Sequence, residues 1–307
     1  MASPRIDSTA NVYDQAFTKA VIAATGDKAS PRLKKIMPAL VSHLHAFARE
    51  VDLTLDEWFA GVEFINKCGQ MSNDTRNETQ LLCNVLGLET LVDAITTLKY
   101  TEHAASASTP CTPSSVLGPF YRHNAPLLPA SASIVSAERR AEYLPWTTHF
   151  SGRVLGAGGR PIAGAVLDIW HTAPNGMYEQ QDEQQPDMDL RGRFTTDAEG
   201  KFALYCLRPV AYPIPDDGPV GKLLHALDRH PWRPAHIHAI VSAEGHRTLT
   251  TQLYDAQDKW LHNDSVFAVH KDLIVDFKPY ADKKNAAWAV SFDFVLGRDT
   301  EKLDGER

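Results

Sequence analysis

The hydrophobic pattern of this chain changes period once, and the change divides it in two. In the first third, Leu33, Ile36, Met37, Leu40, Val41, Leu44 and Phe47 recur at steps of three and four. That spacing places them on one face of an amphipathic helix. Thr54 and Glu57 form a capping-box pattern ahead of a second helix carrying Trp58, Val62 and Ile65. After a polar break, Ser72 to Thr79, the run Leu81, Leu82, Val85, Leu86, Leu88, Leu91, Val92 and Ile95 predicts a third, more thoroughly apolar helix. His103 to Ser115, rich in Ala, Ser, Thr and Pro, reads as a linker.

Beyond Leu117-Gly118-Pro119 the period becomes that of strands. They are expected at His149–Val154, Ala165–His171, Phe202–Leu207, His236–Ser242, Thr248–Tyr254, Leu273–Phe277 and Trp288–Leu296. Gly158-Gly159 and Asp197-Ala198-Glu199-Gly200 supply turns between them, and a short amphipathic helix, Val220–Arg229, interrupts the series. The charged tail Arg298–Arg307 is expected to fray. The fold class is therefore mainly β: a β-sandwich, residues 111–307, preceded by an α-helical domain, residues 1–110. The apolar helix faces must be covered by the sandwich, by a second subunit or by both, which makes a homodimer through these helices a natural expectation.

Composition narrows the function. The chain has 307 residues, 43% hydrophobic and 22% charged, with a formal net charge of −7. Those are the values of a globular protein, with no basic stripe to recommend nucleic acid or an anionic membrane. Met1 to Asp14 lacks the apolar core of a signal peptide, and no apolar run is long enough to span a membrane. The four cysteines, Cys68, Cys83, Cys111 and Cys206, form no C-x-x-C pair. They read as reduced thiols, which fits a cytoplasmic protein and argues against cysteine as a metal ligand.

The most informative stretch is Arg233-Pro234-Ala235-His236-Ile237-His238. On a strand, His-x-His sends both imidazoles to one face, which is half of a metal site. The motif has several uses. A cupin-like site needs a carboxylate shortly afterwards, but the first acid is Glu244, in a turn-like Ala-Glu-Gly. A zinc hydrolase on a β/α barrel would carry the motif near the start of the chain, with much more chain to follow. A third use adds two tyrosines. Tyr178 and Tyr212 both lie in irregular segments at strand ends, where functional residues concentrate. Taken singly, each would be an ordinary amphipathic surface or core residue. A non-catalytic carrier of the transthyretin type, with the Tyr and His residues coincidental, is the alternative from another class.

The motifs together resemble the intradiol ring-cleavage dioxygenases, the catechol and hydroxyquinol 1,2-dioxygenases. The likeness runs through Leu117-Gly118-Pro119-Phe120-Tyr121, Asp168-Ile169-Trp170-His171, Gly176-Met177-Tyr178, Asp197-Ala198-Glu199-Gly200, Arg233 to His238 and Thr250-Thr251-Gln252. It implies a ferric ion, Fe(III), held by Tyr178, Tyr212, His236 and His238. Two phenolates suit this hard trivalent cation, whereas a two-histidine, one-carboxylate set suits ferrous iron. A phenol ionises at about 10, so a phenolate at neutral pH needs the cation's charge beside it. The substrates implied are an aromatic diol and O2. Tyr212 would leave the metal and take one substrate proton, and Arg233 would stabilise charge on the substrate ring. Gln252 would support the site by hydrogen bonding. A phospholipid at the helical dimer interface is a further implication.

The diol is read from local residues. The run from Tyr212 to Gly221, with Ile214 and Pro215, resembles the hydroxyquinol branch, as do Val116, Leu117, Gly118, Pro119, Phe120 and Val266. Leu81 falls at a helix-borne pocket position. Asn84 departs from the pattern, because the hydroxyquinol branch usually has an acid there and catechol enzymes an apolar residue. An amide still hydrogen-bonds a third hydroxyl. The expected reaction opens hydroxyquinol (1,2,4-trihydroxybenzene) between its vicinal hydroxylated carbons, giving 3-hydroxy-cis,cis-muconate, the enol of maleylacetate. Catechol or a chlorocatechol is the alternative substrate.

Overall fold

A computed structural model describes residues 14–73, 76–103, 110–282 and 284–299. Residues 104–109 of the expected linker and most of the charged tail lie outside the described residues. The chain divides into two compact units, with the boundary between Asn66 and Lys67, inside a helix.

The first unit holds α1 (Ala16–Ala23), α2 (Pro31–Glu50) and most of α3 (Leu55–Met71). Ser30 caps α2 by accepting from Leu33 N at 3.3 Å, and Pro31 occupies the first helical position, where no N–H is needed. The capping box of α3 forms as expected: Thr54 N donates to Glu57 Oε2 (2.9 Å) and Glu57 N to Thr54 Oγ1 (3.3 Å). No residue of α2 is buried, and Leu40, Leu44 and Phe47 are exposed. The helix α1 was not foreseen. It is short, and Thr18 ties it to His45 of α2 at 3.0 Å.

In the second unit the single apolar helix expected after Thr79 is two helices, α4 (Glu78–Val85) and α5 (Leu88–His103), bent by 75°. Gly87, at φ +70°, makes the corner. Hydrophobic spacing continues across the bend, which is why the sequence reads as one helix. No single helix among the described residues is long and apolar enough to cross a membrane.

The β region begins with β1 (Thr147–Gly156), β2 (Val166–Trp170), β3 (Arg191–Thr195), β4 (Lys201–Leu207) and β5 (Tyr212–Pro213). After α6 (Pro219–Ala226) come β6 (Trp232–Arg233), β7 (His236–Ser242), β8 (Leu249–Asp255), β9 (Ile274–Val275), β10 (Lys278–Pro279), β11 (Trp288–Ser291) and β12 (Phe294–Leu296). One sheet gathers β10, β11, β12 and β4 around β1; the other runs β3-β2-β7-β8-β9. Between them lies the core, with Phe150, Leu167, Ile169, Phe194, Leu204, Ile237, Leu253 and Phe294 almost fully buried. This is the expected sandwich.

Three details correct the sequence expectations. The strand β3 was missed because its sequence, Arg-Gly-Arg-Phe-Thr, does not alternate; Arg191 is nevertheless buried, paired to Glu179 at 2.7 Å. The last expected strand, 288–296, breaks at Phe292-Asp293. There the Phe292 carbonyl comes so close to Gly152 that a Cβ would lie 1.8 Å from it, and Asp293 accepts the β1 amide of Arg153 at 2.9 Å in place of a ladder bond. The helix expected at 220–229 instead spans Pro219–Ala226, started by Gly218 and Pro219, and the chain turns at Asp228, whose φ is +53°.

Candidate active site

Period-two alternation on β7 sends Ile237, Ala239 and Val241 into the sandwich core and His236 and His238 to the opposite face of the sheet. The site is thus built on the outer face of the β3-β2-β7-β8-β9 sheet. Register fixes the neighbours: His238 lies between Trp170 on β2 and Gln252 on β8, and His236 lies opposite Tyr254. Trp170 stacks flat on the His238 ring, with centroids 4.6 Å apart and planes 7° apart.

The tyrosines arrive from two loops. Tyr178 follows a turn closed by Ala173 N to the Met177 carbonyl (2.8 Å), with Gly176 at φ +81°. Its ring stacks on Phe120 at 4.8 Å, and the Arg191 guanidinium lies 5.8 Å from the ring centre. Tyr212 is held by the short β5–β6 pairing, which sets it opposite Arg233.

Four polar atoms then meet in a closed ring. Tyr178 Oη is 3.1 Å from Tyr212 Oη, which is 3.3 Å from His236 Nε2; that atom is 3.2 Å from His238 Nε2, which is 3.0 Å from Tyr178 Oη. All four side chains are buried. His236 Nδ1 lies 2.7 Å from the Pro234 carbonyl, which can only accept, so its proton sits there and Nε2 presents a lone pair to the ring. Burial keeps both imidazoles neutral, well below the usual histidine range, aided by the Arg233 charge. Burial, and then the neighbouring Tyr212, push the Tyr178 phenol well above its ordinary value.

This donor set fits a cation. Bonds of about 2.1 Å at right angles give ligand–ligand edges of about 3.0 Å, close to the four separations seen. Two neutral imidazoles and two phenols, of which Tyr178 is made hard to ionise by burial, call for a highly charged, hard metal to draw off the phenol protons. Among the described residues no cluster of His, Cys, Asp and Glu offers a competing site.

Arg233 is 3% exposed and fully engaged. Its Nη1 donates to His236 Nε2 (3.1 Å), Nη2 to Gln252 Oε1 (2.8 Å), and Nε and Nη2 meet Asp264 at 3.3 Å each. Gln252 in turn donates to the Val116 carbonyl at 2.6 Å, tying the guanidinium to the segment 116–120. Gly118 lies against the site, at φ +78° and so close that a Cβ would be 3.2 Å from His238 Cε1. Leu117 packs on the aromatic group formed by Phe120, Trp170, Tyr178 and Tyr212. Pro119 is half-buried within the same segment.

The remaining expected pocket residues lie on other elements. Ile214 is buried and Pro215 half-buried, just beyond Tyr212. Leu81 and Asn84, both 2% exposed, share a face of α4. Val266 is buried, its amide donating to Asp264 at 3.2 Å and its carbonyl accepting from Thr90 at 3.1 Å. Asp264, Tyr254 and Glu89 were not singled out from the sequence. The one hint for Asp264 was the need of a buried arginine for an acid, which does not say which acid.

A β-sandwich carrying a buried two-phenol, two-imidazole pocket beside a fixed guanidinium fits a metal-dependent enzyme. The comparisons make this specific. The family described as "Catechol dioxygenase N terminus" matches residues 30–104, and the family described as "Dioxygenase" matches residues 116–298. A catechol 1,2-dioxygenase of Candida albicans is 46% identical over 93% of this chain and 91% of its own length. A hydroxyquinol 1,2-dioxygenase of Rhizobium sp. is 40% identical over 93% of this chain and 96% of its own. The solved hydroxyquinol 1,2-dioxygenase of Pseudomonas putida DLL-E4 superposes with a TM-score of 0.79 at 38% identity, covering 92% of this chain and 97% of that one. The chain belongs to the intradiol ring-cleavage dioxygenases, a family that uses non-haem iron, and is a 1,2-dioxygenase of the catechol/hydroxyquinol type.

Proposed function

We propose that this enzyme prefers hydroxyquinol, opening it between the vicinal hydroxylated carbons to 3-hydroxy-cis,cis-muconate, with Fe(III) held by Tyr178, Tyr212, His236 and His238. The closed ring of four donor atoms carries the metal assignment. When bound, ferric iron would draw electron density from a chelated diol and so prime the ring for O2. The protein's own part is positioning and charge. By the family resemblance Tyr212 is the ligand that would give way, its phenolate accepting a substrate hydroxyl proton at Oη. Arg233, immobilised by Asp264 and Gln252, offers a fixed positive charge where negative charge develops on the ring. Trp170 and Phe120 exclude water from His238 and Tyr178.

The buried amide of Asn84 supports hydroxyquinol over catechol, because a purely apolar pocket wall would have no use for it. The 46% identity to a catechol 1,2-dioxygenase favours catechol as the second reading. Steady-state kinetics of the iron-loaded enzyme on both diols decide: kcat/KM for hydroxyquinol should exceed that for catechol at least about tenfold. Preference for catechol overturns the reading. Tyr178→Phe should lose the visible phenolate-to-iron band, and an unchanged spectrum removes Tyr178 from the ligand set. The apolar, uncovered face of α2 further supports a homodimer through the N-terminal helices, with an acyl chain of a phospholipid as a suitable filler of that apolar seam.

A further inference from the structure

Glu89 opens α5, immediately after the corner at Gly87. The bend turns its carboxylate back toward α4 and toward the segment that lines the site. Gln80 Nε2 donates to both its oxygens, at 3.1 and 3.4 Å. With its amide nitrogen turned inward, Asn84 donates to Glu89 Oε2 and, at 3.1 Å, to the Gln80 carbonyl. The Leu117 backbone N–H also points at the carboxylate, and the Arg233 charge reaches it. The next residue, Thr90, donates to the Val266 carbonyl at 3.1 Å. Glu89 therefore sits between Asn84 and Leu117, both expected pocket residues, and it remains only half-buried.

Gln80, Asn84 and Leu117 hold the carboxylate from the protein side, and its half-buried state leaves part of it open to a further donor from outside. Burial pushes the carboxyl up, against the pull of Gln80, Leu117 and Arg233 and with help from Asp93, so water does not fully solvate it. An aromatic diol whose ring carries one more hydroxyl supplies the missing donor. A catechol presents a C–H edge and leaves the carboxylate short of a partner, which is the strongest way for a site to reject a close analogue.

We propose that Glu89 is a specificity-determining residue that accepts a hydrogen bond from the hydroxyl of hydroxyquinol outside the vicinal pair, with Asn84 orienting its carboxylate. The inference rests on the hydroxyquinol reading and extends it. A first-turn acid that merely favours the α5 N-terminus would affect all substrates alike.

The test uses the iron-loaded enzyme and its Glu89→Gln variant on hydroxyquinol and catechol. The ratio of kcat/KM for hydroxyquinol to that for catechol should fall about tenfold or more, chiefly through the KM for hydroxyquinol. A ratio within about threefold of wild type, including equal losses on both diols, overturns the proposal. A second measurement needs no variant: the 4-O-methyl ether of hydroxyquinol lacks the donor and should show a wild-type KM about tenfold above that of hydroxyquinol. Equal KM values for the two also overturn it. The two failures are separable. A wild type that prefers catechol removes the substrate reading and this inference together, whereas a hydroxyquinol-preferring wild type with an unchanged ratio in the variant removes only Glu89.

Discussion

Arg233 offers the sharpest separation of structure from chemistry. It forms a buried pair with Asp264, and both residues are almost wholly inaccessible. Arg233→Gln strands the Asp264 carboxylate, which keeps only the amides of Val266 (3.2 Å) and Ala268 (3.0 Å). Breaking a buried pair from one side costs about 3–5 kcal/mol. The two remaining amides place this case at the lower end, about 3 kcal/mol, or a fall in Tm of roughly 6–12 °C. The double variant Arg233→Gln/Asp264→Asn removes both charges and should recover about 1.5 kcal/mol or more of that loss. Activity should not follow, because the guanidinium also stands 3.1 Å from His236 Nε2. Both variants should lose about 100-fold or more in kcat, the scale of a lost preorganised charge. Thermal unfolding and turnover on hydroxyquinol, measured on the same preparations, give the result. A single variant costing under about 1 kcal/mol refutes the pairing argument. A double variant that regains activity along with stability refutes the catalytic one.

Other perturbations test the supports of the site. His171 is fully buried, with Nε2 accepting from Leu207 N (3.2 Å), and burial pushes it down to about 4. Its folded value lies below the unfolded value of about 6.5, so its stabilisation is present above that pH and is lost on acidification. The loss is about 2 kcal/mol between pH 7 and pH 5. His171→Gln should flatten the stability profile in that window, and an unchanged slope counts against it. Gly118→Ala should cost about 1–2 kcal/mol from its φ of +78° alone and push His238, lowering the iron content of purified protein; full iron loading with unchanged Tm contradicts this. Glu78, 0% exposed, accepts from Arg76 Nε (2.9 Å) and from Val220 N at the start of α6 (3.1 Å). Glu78→Ala should destabilise by about 2–4 kcal/mol and Glu78→Gln by less, since the amide still accepts from Val220; equal effects would deny the charge a role.

What the sequence disclosed follows from which forces leave a periodic mark. Burying one face of a strand imposes alternation, so His236, Ile237, His238 and Ala239 declare both the core side and the site side of β7. Gln252 is legible only through its motif, Thr250-Thr251-Gln252, and cross-strand register then carries it to His238. Buried polar partners leave no such mark. Asp264 meets Arg233 from a loop, and Arg191 fills β3 because Glu179 neutralises it, so charge there masks a strand. The corner at Gly87 was hidden differently: apolar spacing ran on through it, and one glycine in a helical pattern is a weak stop signal. Yet that corner decides where Glu89 points. On a straight helix, residues five apart lie well round from each other, and Glu89 would not face Asn84. The bend brings the two to one hydrogen-bonded corner and sets the carboxylate against the Leu117 amide. The two histidines proposed to hold the metal are thus written in strand periodicity, while the residue argued to choose the diol depends on a break in helical periodicity. An acid absent at position 84 is supplied, in space, from position 89.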